Sequence, residues 1–256
     1  ERALLRQGAQ VFRLKDRPFS SAVLKALTTL FTKLFRRLLD HYYISKIEDI
    51  PSDCDFIFVI NGQTVSRKVL NKLKEKNKNA KFILYVWDSL KNRPTIISNI
   101  DIFDKRFIFE KGNEPLFNFR PLFFEPKRSD KNYENMYLAS FIGTAHTDRY
   151  LVINKIKKVI NSENCFWYLF LQSKWVFYWY KLTKVDFSNA NINDFKFTPI
   201  SVSDANDVFM NSEIIVDVEH PDQSGLTIRT LEVLAAGKKL VTTNRDVINY
   251  DFYQYG

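Results

Sequence analysis

The sequence predicts an α/β fold made of two doubly wound parallel sheets of similar size, one after the other. Three observations carry this. Short apolar runs alternate with amphipathic segments along the chain, the order that a parallel sheet with crossover helices requires. Some of those runs, CDFIFVING (54–62) and KFILYVWD (81–88) among them, are continuously apolar and end in polar loops, as strands covered on both faces do. The alternation halts at a polar stretch, EPKRSDKNYENM (125–136), and then restarts. With 256 residues, 45% hydrophobic and 26% charged, the chain has material for two cores and not the composition of a disordered protein.

In order, AQVFRL (9–14) reads as a short strand. Residues 21–43 read as a helix, with Leu24, Leu27, Phe31, Leu34, Phe35 and Leu38 at helical spacing. The strand 54–62, a helix over 65–77 and the strand 81–88 follow, then shorter strand-like pieces at 100–110 and 119–124. After the polar linker come a strand (137–143), a helix (149–161), a strand (165–171) and an aromatic helix (173–184). A short helix (203–212), a strand (213–218), a helix within LTIRTLEVLAA (226–236) and the strand KLVTTN (239–244) complete the pattern. The domains are therefore expected at 1–124 and 137–256, with 125–136 between them. The chain opens on Glu1 rather than Met and stops at Gly256 straight after a motif, so it is expected to be a piece cut at both ends.

The net charge of +9 favours an anionic partner without choosing among nucleic acid, acidic lipid and phosphorylated small molecule. Two distant cysteines, Cys54 and Cys165, exclude a disulfide framework and a zinc site and read as free thiols. The most apolar stretch, 165–182, is split by Gln172, Ser173 and Lys174 and is too short to span a bilayer.

Residues 219–244, EHPDQSGLTIRTLEVLAAGKKLVTTN, hold two of only 7 glycines. Gly237 suits the left-handed position after a helix, where Lys238 and Lys239 complement the negative helix end. Gly225 stands just before the helix, at the carboxyl edge of a strand, where open α/β sheets bind ligands. Amides of Gly225, Leu226 and Thr227 there form an anion site, with hydroxyls from Ser224 and Thr227 and a guanidinium from Arg229. The alternative is structural: Ser224 caps the helix and Arg229 pairs with Glu232.

SGLTIRTLEVLAAGKKLVTTN resembles the donor-binding segment of nucleotide-sugar glycosyltransferases of the GT-B fold, which often read Glu-Gly-Phe-Gly-x-x-x-x-Glu-Ala-x-Ala-x-Gly-x-Pro-Val-Val. Glu232 falls on the second Glu, which in that family binds the nucleotide ribose, and Gly237 on the later Gly. Ser224 stands where the family has its first Glu, which contacts the donor sugar. The longer string from His220 looks like bacterial enzymes of capsule, lipopolysaccharide or exopolysaccharide synthesis. SFIGTAHTDRY (140–150) resembles the family's first strand and glycine loop of the second domain, with Gly143, His146 and Arg149 toward the donor pyrophosphate. For His146 a surface-loop histidine is the alternative. Residues 103–124 resemble the stretch closing the first domain.

The resemblance implies two Rossmann-like domains facing across a cleft, 1–124 on the acceptor side and 137–256 binding the nucleotide-sugar. It implies transfer of a sugar to a glycan or lipid-linked acceptor, in the cytoplasm or on the cytoplasmic face of the inner membrane, and no nucleic acid partner. GT-A glycosyltransferases hold a metal on Asp-x-Asp. Only Asp53-Cys54-Asp55 has that spacing, and it precedes its strand, so no metal or other cofactor is expected. Asp88, ending its strand, is the candidate base, with a turn-capping carboxylate as the alternative. Asn61 is a lining candidate. Glu219 and His220 either contact the donor or shape the Pro221 turn. Helices 173–184 and 21–39 have the Trp, Tyr, Lys and Arg content of membrane-surface helices, against which core packing is the alternative. Two other functions compete: a non-catalytic nucleotide or nucleic-acid binding module, and a nucleotide-sugar epimerase of similar fold.

Overall fold

The structure is a computed structural model. It describes residues 1–256 apart from 16, 17, 20–23, 25–27, 29, 30, 93, 114, 125–132, 147, 161, 162, 221–223 and 256. The chain divides into two compact units, Glu1–Arg120 and Pro121–Gly256, each carrying a parallel sheet. The division falls a few residues before the expected linker, of which 125–132 lie outside the described residues and 133–136 carry no regular structure.

In the first unit, α1 (Arg2–Arg6) is followed by residues 9–15 without regular structure. The expected strand at 9–14 does not form, because neither sheet offers it a ladder partner and Phe12 stays exposed. The helix expected over 21–43 is also revised. Much of 20–30 lies outside the described residues, 31–35 form turns, and α2 runs from Arg36 to Glu48. Its buried stripe is Leu39, Tyr43 and Ile47, whereas Leu24, Phe31, Leu34 and Leu38 are exposed. Tyr43 ties this stripe inward through a 2.8 Å hydroxyl contact with Thr64.

Strand β1 (Phe56–Ile60) leads to α3 (Arg67–Lys76), whose first turn is capped by the Ser66 hydroxyl accepting from the Val69 amide. Val69, Leu70 and Leu73 form its buried face. Then come β2 (Lys81–Val86), a 3₁₀ segment (Pro94–Ile102), β3 (Lys105–Ile108) and β4 (Asn118–Phe119), paired in the order β1-β2-β3-β4. The strand expected over 100–110 thus starts only at Lys105, and only Phe119 of 119–124 is in a strand. β2 is interior and fully buried at Phe82 and Leu84. β1 is not the doubly covered strand its sequence suggests. It is an edge strand, with Phe56, Phe58 and Ile60 exposed on one face.

The second unit follows its sequence pattern closely except at Phe195–Lys196, a short edge strand that was not expected. β5 (Tyr137–Thr144), α4 (Arg149–Ile160), β6 (Cys165–Phe170), α5 (Lys174–Thr183) and β7 (Phe195–Lys196) come first. α6 (Val202–Met210), β8 (Ser212–Asp217), α7 (Ile228–Ala235) and β9 (Lys239–Thr242) complete it. The all-parallel order is β7-β6-β5-β8-β9, so the chain winds outward from β5 to β7 and returns to place β8 on the other side of β5. Phe141, Ile153, Leu169, Phe177, Phe195 and Val216 lie in its core. Burying each of these contributes about 1.5–3 kcal/mol. Gly237 has φ 65°, the left-handed conformation expected after α7. Cys54 and Cys165 are free thiols in different units. Among the described residues no helix is long and apolar enough to cross a membrane.

Candidate functional site

The reversal of winding falls between β5 and β8, and there the carboxyl ends of the two strands part. Arg149, the first residue of α4, spans this point. Its Nε donates to the Val218 carbonyl beyond β8 (2.9 Å) and its Nη1 to the Thr144 carbonyl ending β5 (3.2 Å). Nη1 also lies 3.1 Å from His146 Nε2. A guanidinium only donates, so Nε2 accepts and the ring is neutral with its proton on Nδ1. Burial, then the charge of Arg149, pushes the His146 pKa down to about 4. His220 stands on the other strand end, its ring 5.4 Å from that of His146. Three polar contacts fix the guanidinium through Nε and Nη1, and Nη2 makes no hydrogen bond among the described residues.

Glu219 faces the same point. Its amide is held by the Thr243 hydroxyl at the end of β9 (3.1 Å), while its Oε2 is buried without a hydrogen-bond partner among the described residues. Burial first, then Asp246, Asp217 and Asp148, push its pKa up to about 7. Asp148 Oδ1 is likewise buried and unpartnered among those residues. The site thus combines a fixed cation, a neutral imidazole and a carboxyl that exchanges its proton near neutrality.

That titration has a measurable consequence. The folded chain holds the Glu219 proton up to about pH 7, whereas the unfolded side chain releases it near 4.5. The contribution of Glu219 to stability is therefore fully present below 4.5 and is lost as pH rises through 7. Glu219→Gln is expected to stabilise the protein by about 1 kcal/mol above pH 7, a figure reduced for partial exposure, and to change nothing below 4.5. Urea unfolding at two pH values checks this, and an equal gain at both would dismiss the titration as its cause. His146 acts in the opposite sense, since its depressed pKa withdraws stability as pH falls from 6.5 toward 4.

The loop before α7 departs from expectation. Thr227, not Ser224, caps the helix, its hydroxyl accepting from the Thr230 amide at 3.2 Å. That hydroxyl also reaches Asp217 (3.2 Å), which accepts a second bond from Thr230 (2.6 Å). Asp217 is buried, so the helix start is already met by a carboxylate of the protein itself. Gly225 and Leu226 are buried, the Leu226 amide faces the Tyr250 hydroxyl (3.4 Å), and Asn244 Nδ2 donates to the carbonyls of Ser224 and Gly225. The outward cradle of amides expected at Gly225, Leu226 and Thr227 is not formed, because packing of this turn against Tyr250 and Asn244 turns it inward. Ser224 remains exposed.

Arg229 is not a phosphate fork either. It donates to the Ile142 carbonyl and lies 5.3 Å from the centre of the Phe209 ring. Burial pushes its pKa down, while Asp217 and Glu232 pull it up, so it serves inside the fold with Glu232 as one of its counter-charges. Gly143 lies within β5 rather than in a loop. A Cβ there would meet the Phe141 ring at 2.7 Å, so any larger residue would have to displace that buried ring. In the first unit, Asn61 (φ 58°) joins the ends of β1 and β2, its amide bonded to the Tyr85 carbonyl and its Oδ1 to the Trp87 amide (3.0 Å). Asp88 Oδ1 accepts from the adjacent Ser89 amide at 2.8 Å. Asp53 and Asp55 precede β1. Pro221 lies outside the described residues.

The structure brings His146, Arg149 and His220 together beside Glu219, whereas the sequence reading passed over Asp148, Asp217 and Asp246. For Asp217 the signal was present: an Asp ending a strand, with two threonines three residues apart opening the next helix. No family model matches the chain, and a search of curated proteins finds no match.

Proposed function

We propose that the chain is the catalytic portion of a metal-independent glycosyltransferase with two Rossmann-like domains in the GT-B manner. It moves a sugar from a nucleotide-sugar to a glycan or lipid-linked acceptor in bacterial cell-surface polysaccharide synthesis, at the cytoplasmic face of the inner membrane. The observation that carries the reading is Arg149, held by two strand-end carbonyls at the point where a parallel sheet reverses its winding, with one edge of its guanidinium left for an anion. The resemblance of 140–150 and 224–244 to donor-binding segments supports it.

A departing nucleoside diphosphate carries the developing charge, so stabilising that charge is the catalytic task. In this reading Arg149 meets the phosphate oxygens. Glu219, protonated near neutral pH, donates a hydrogen bond or its proton to the same oxygens, and His220 and Ser224 line the sugar side. Glu232 holds the ribose, as the resemblance implies. Asp88 is the proposed base toward the acceptor. Asp88→Asn keeps a capping oxygen but removes the base, so kcat is expected to fall by about 10²–10⁴-fold with stability unchanged. An unchanged kcat would leave Asp88 a capping residue only.

The decisive test is a thermal-shift screen of the protein against UDP, GDP, CMP and dTDP, followed by transfer assays with the nucleotide that stabilises it. The absence of any nucleotide shift would sink the reading. Glu219 favours one second reading, an epimerase acting on the nucleotide-sugar, because a carboxyl titrating near 7 suits proton abstraction and return. Turnover of the donor without acceptor would identify it.

A further inference from the structure

The helix α5 is built inside out. An ordinary surface helix turns one apolar stripe to the core and polar residues to water. Here Phe177 is buried, with Val176 and Tyr180 packed against the same core. The opposite face carries Trp175, Tyr178, Trp179 and Leu182, which are 69%, 57%, 53% and 85% exposed. These four follow the i, i+3, i+4, i+7 spacing of a single helix face. Trp175 and Trp179 stack with centroids 5.9 Å apart and form a flat indole surface toward solvent. Val185, just beyond the helix, extends the patch at 89% exposure. Core packing, the usual reason for an aromatic helix, accounts for Phe177 and leaves the outward face unexplained.

The charge on the helix itself is of one sign, and the first carboxylate beyond it is Asp186. Lys174 and Lys181, seven residues apart, run along one flank, and Lys184 follows at the end. No Asp or Glu occurs between Ser173 and Val185. Lys181 donates to the Ala190 carbonyl (3.0 Å) and Lys184 lies 3.8 Å from the Tyr180 ring centre, so neither amine crosses the face of Trp175, Tyr178, Trp179 and Leu182. Thr183 turns its hydroxyl back to the Trp179 carbonyl (2.7 Å) and leaves its methyl outward.

We propose that this face of α5 is a membrane-contact surface, lying in the plane of a bilayer with Trp175, Tyr178, Trp179 and Leu182 at the headgroup boundary and the lysines on anionic lipid phosphates. Amphipathic aromatic rings sit at that boundary, where an apolar body and a polar edge are both satisfied. Helices that lie in the interface combine such a face with flanking lysine. A second copy of the chain is a poorer occupant. A two-fold contact pairs the patch with itself and sets lysine against lysine with no carboxylate on the helix to offset them. The inference is independent of the reaction proposed for the strand-end site.

Cosedimentation of the protein with vesicles of phosphatidylcholine, with and without phosphatidylglycerol, tests it. Binding is expected only with the anionic lipid and is expected to weaken with added salt. The double substitution Trp175→Ala with Trp179→Ala should weaken partition by about tenfold or more, from the lost apolar burial. Both indoles are exposed, so its circular dichroism and melting temperature should match wild type. Lys174→Gln with Lys181→Gln should weaken binding while preserving the fold. Equal partition of the tryptophan variant and wild type would overturn the proposal. So would a wild-type dimer, in the absence of lipid, that the tryptophan substitutions convert to a monomer.

Discussion

Arg149→Ala is expected to abolish the thermal shift that the stabilising nucleoside diphosphate produces, with an affinity loss of at least about a hundredfold. Two charge-assisted hydrogen bonds to phosphate oxygens, each worth about 1.5–3 kcal/mol, account for a loss of that size. The substitution also frees the carbonyls of Thr144 and Val218, so the unliganded protein should lose about 1–2 kcal/mol of stability. Melting the variant without nucleotide separates the two effects. Arg149→Lys supplies the charge but not the planar fork that reaches two carbonyls at once, and it should recover only part of the shift. The His146 pKa should rise toward its ordinary value in the alanine variant, because Arg149 is the larger of the charges depressing it. A nucleotide shift equal to that of wild type would remove Arg149 from the phosphate site.

Asp217→Ala is expected to lower stability by about 3 kcal/mol, about 10 °C in melting temperature for a unit of this size. The carboxylate is buried at the end of β8 and accepts from the hydroxyls of Thr227 and Thr230. Its removal leaves the buried Thr230 hydroxyl without that acceptor and withdraws a negative charge from the start of α7. It also takes a counter-charge from Arg229 and one of the carboxylates that hold the Glu219 pKa high. Thermal unfolding followed by circular dichroism measures the loss, and an unchanged melting temperature would show that the threonines are satisfied without Asp217. Thr230→Val should reproduce part of the loss, since it removes the shorter of the two bonds.

Much of the second unit is legible from residue order. Its strands and helices begin and end within a few residues of where periodicity and capping residues put them, because these signals are local. Ser173 and Ser201 each accept from an amide three residues on, and Gly237 takes the left-handed conformation that ends α7. The first unit is less legible. AQVFRL has the alternation of a strand but no neighbour to pair with, and the apolar stripe read from Leu24 to Leu38 is replaced by one from Leu39 to Ile47. Periodicity reports that a segment has an apolar face, and it is silent on what that face meets.

The same divide runs through the site. His146, Arg149, Glu219 and His220 follow from position alone, since residues just past the carboxyl ends of neighbouring parallel strands must gather at one sheet edge. Residue types in a row therefore settle the parallel α/β architecture, the free thiols and the composition of that edge. What each polar group is spent on belongs to the folded arrangement. Arg149 and Arg229 are the same kind of side chain, eighty residues apart in the chain. One bridges two strand ends, and the other is buried against the Ile142 carbonyl and the Phe209 ring. Burial and the direction of a side chain are set by contacts between distant segments, and no local pattern encodes them.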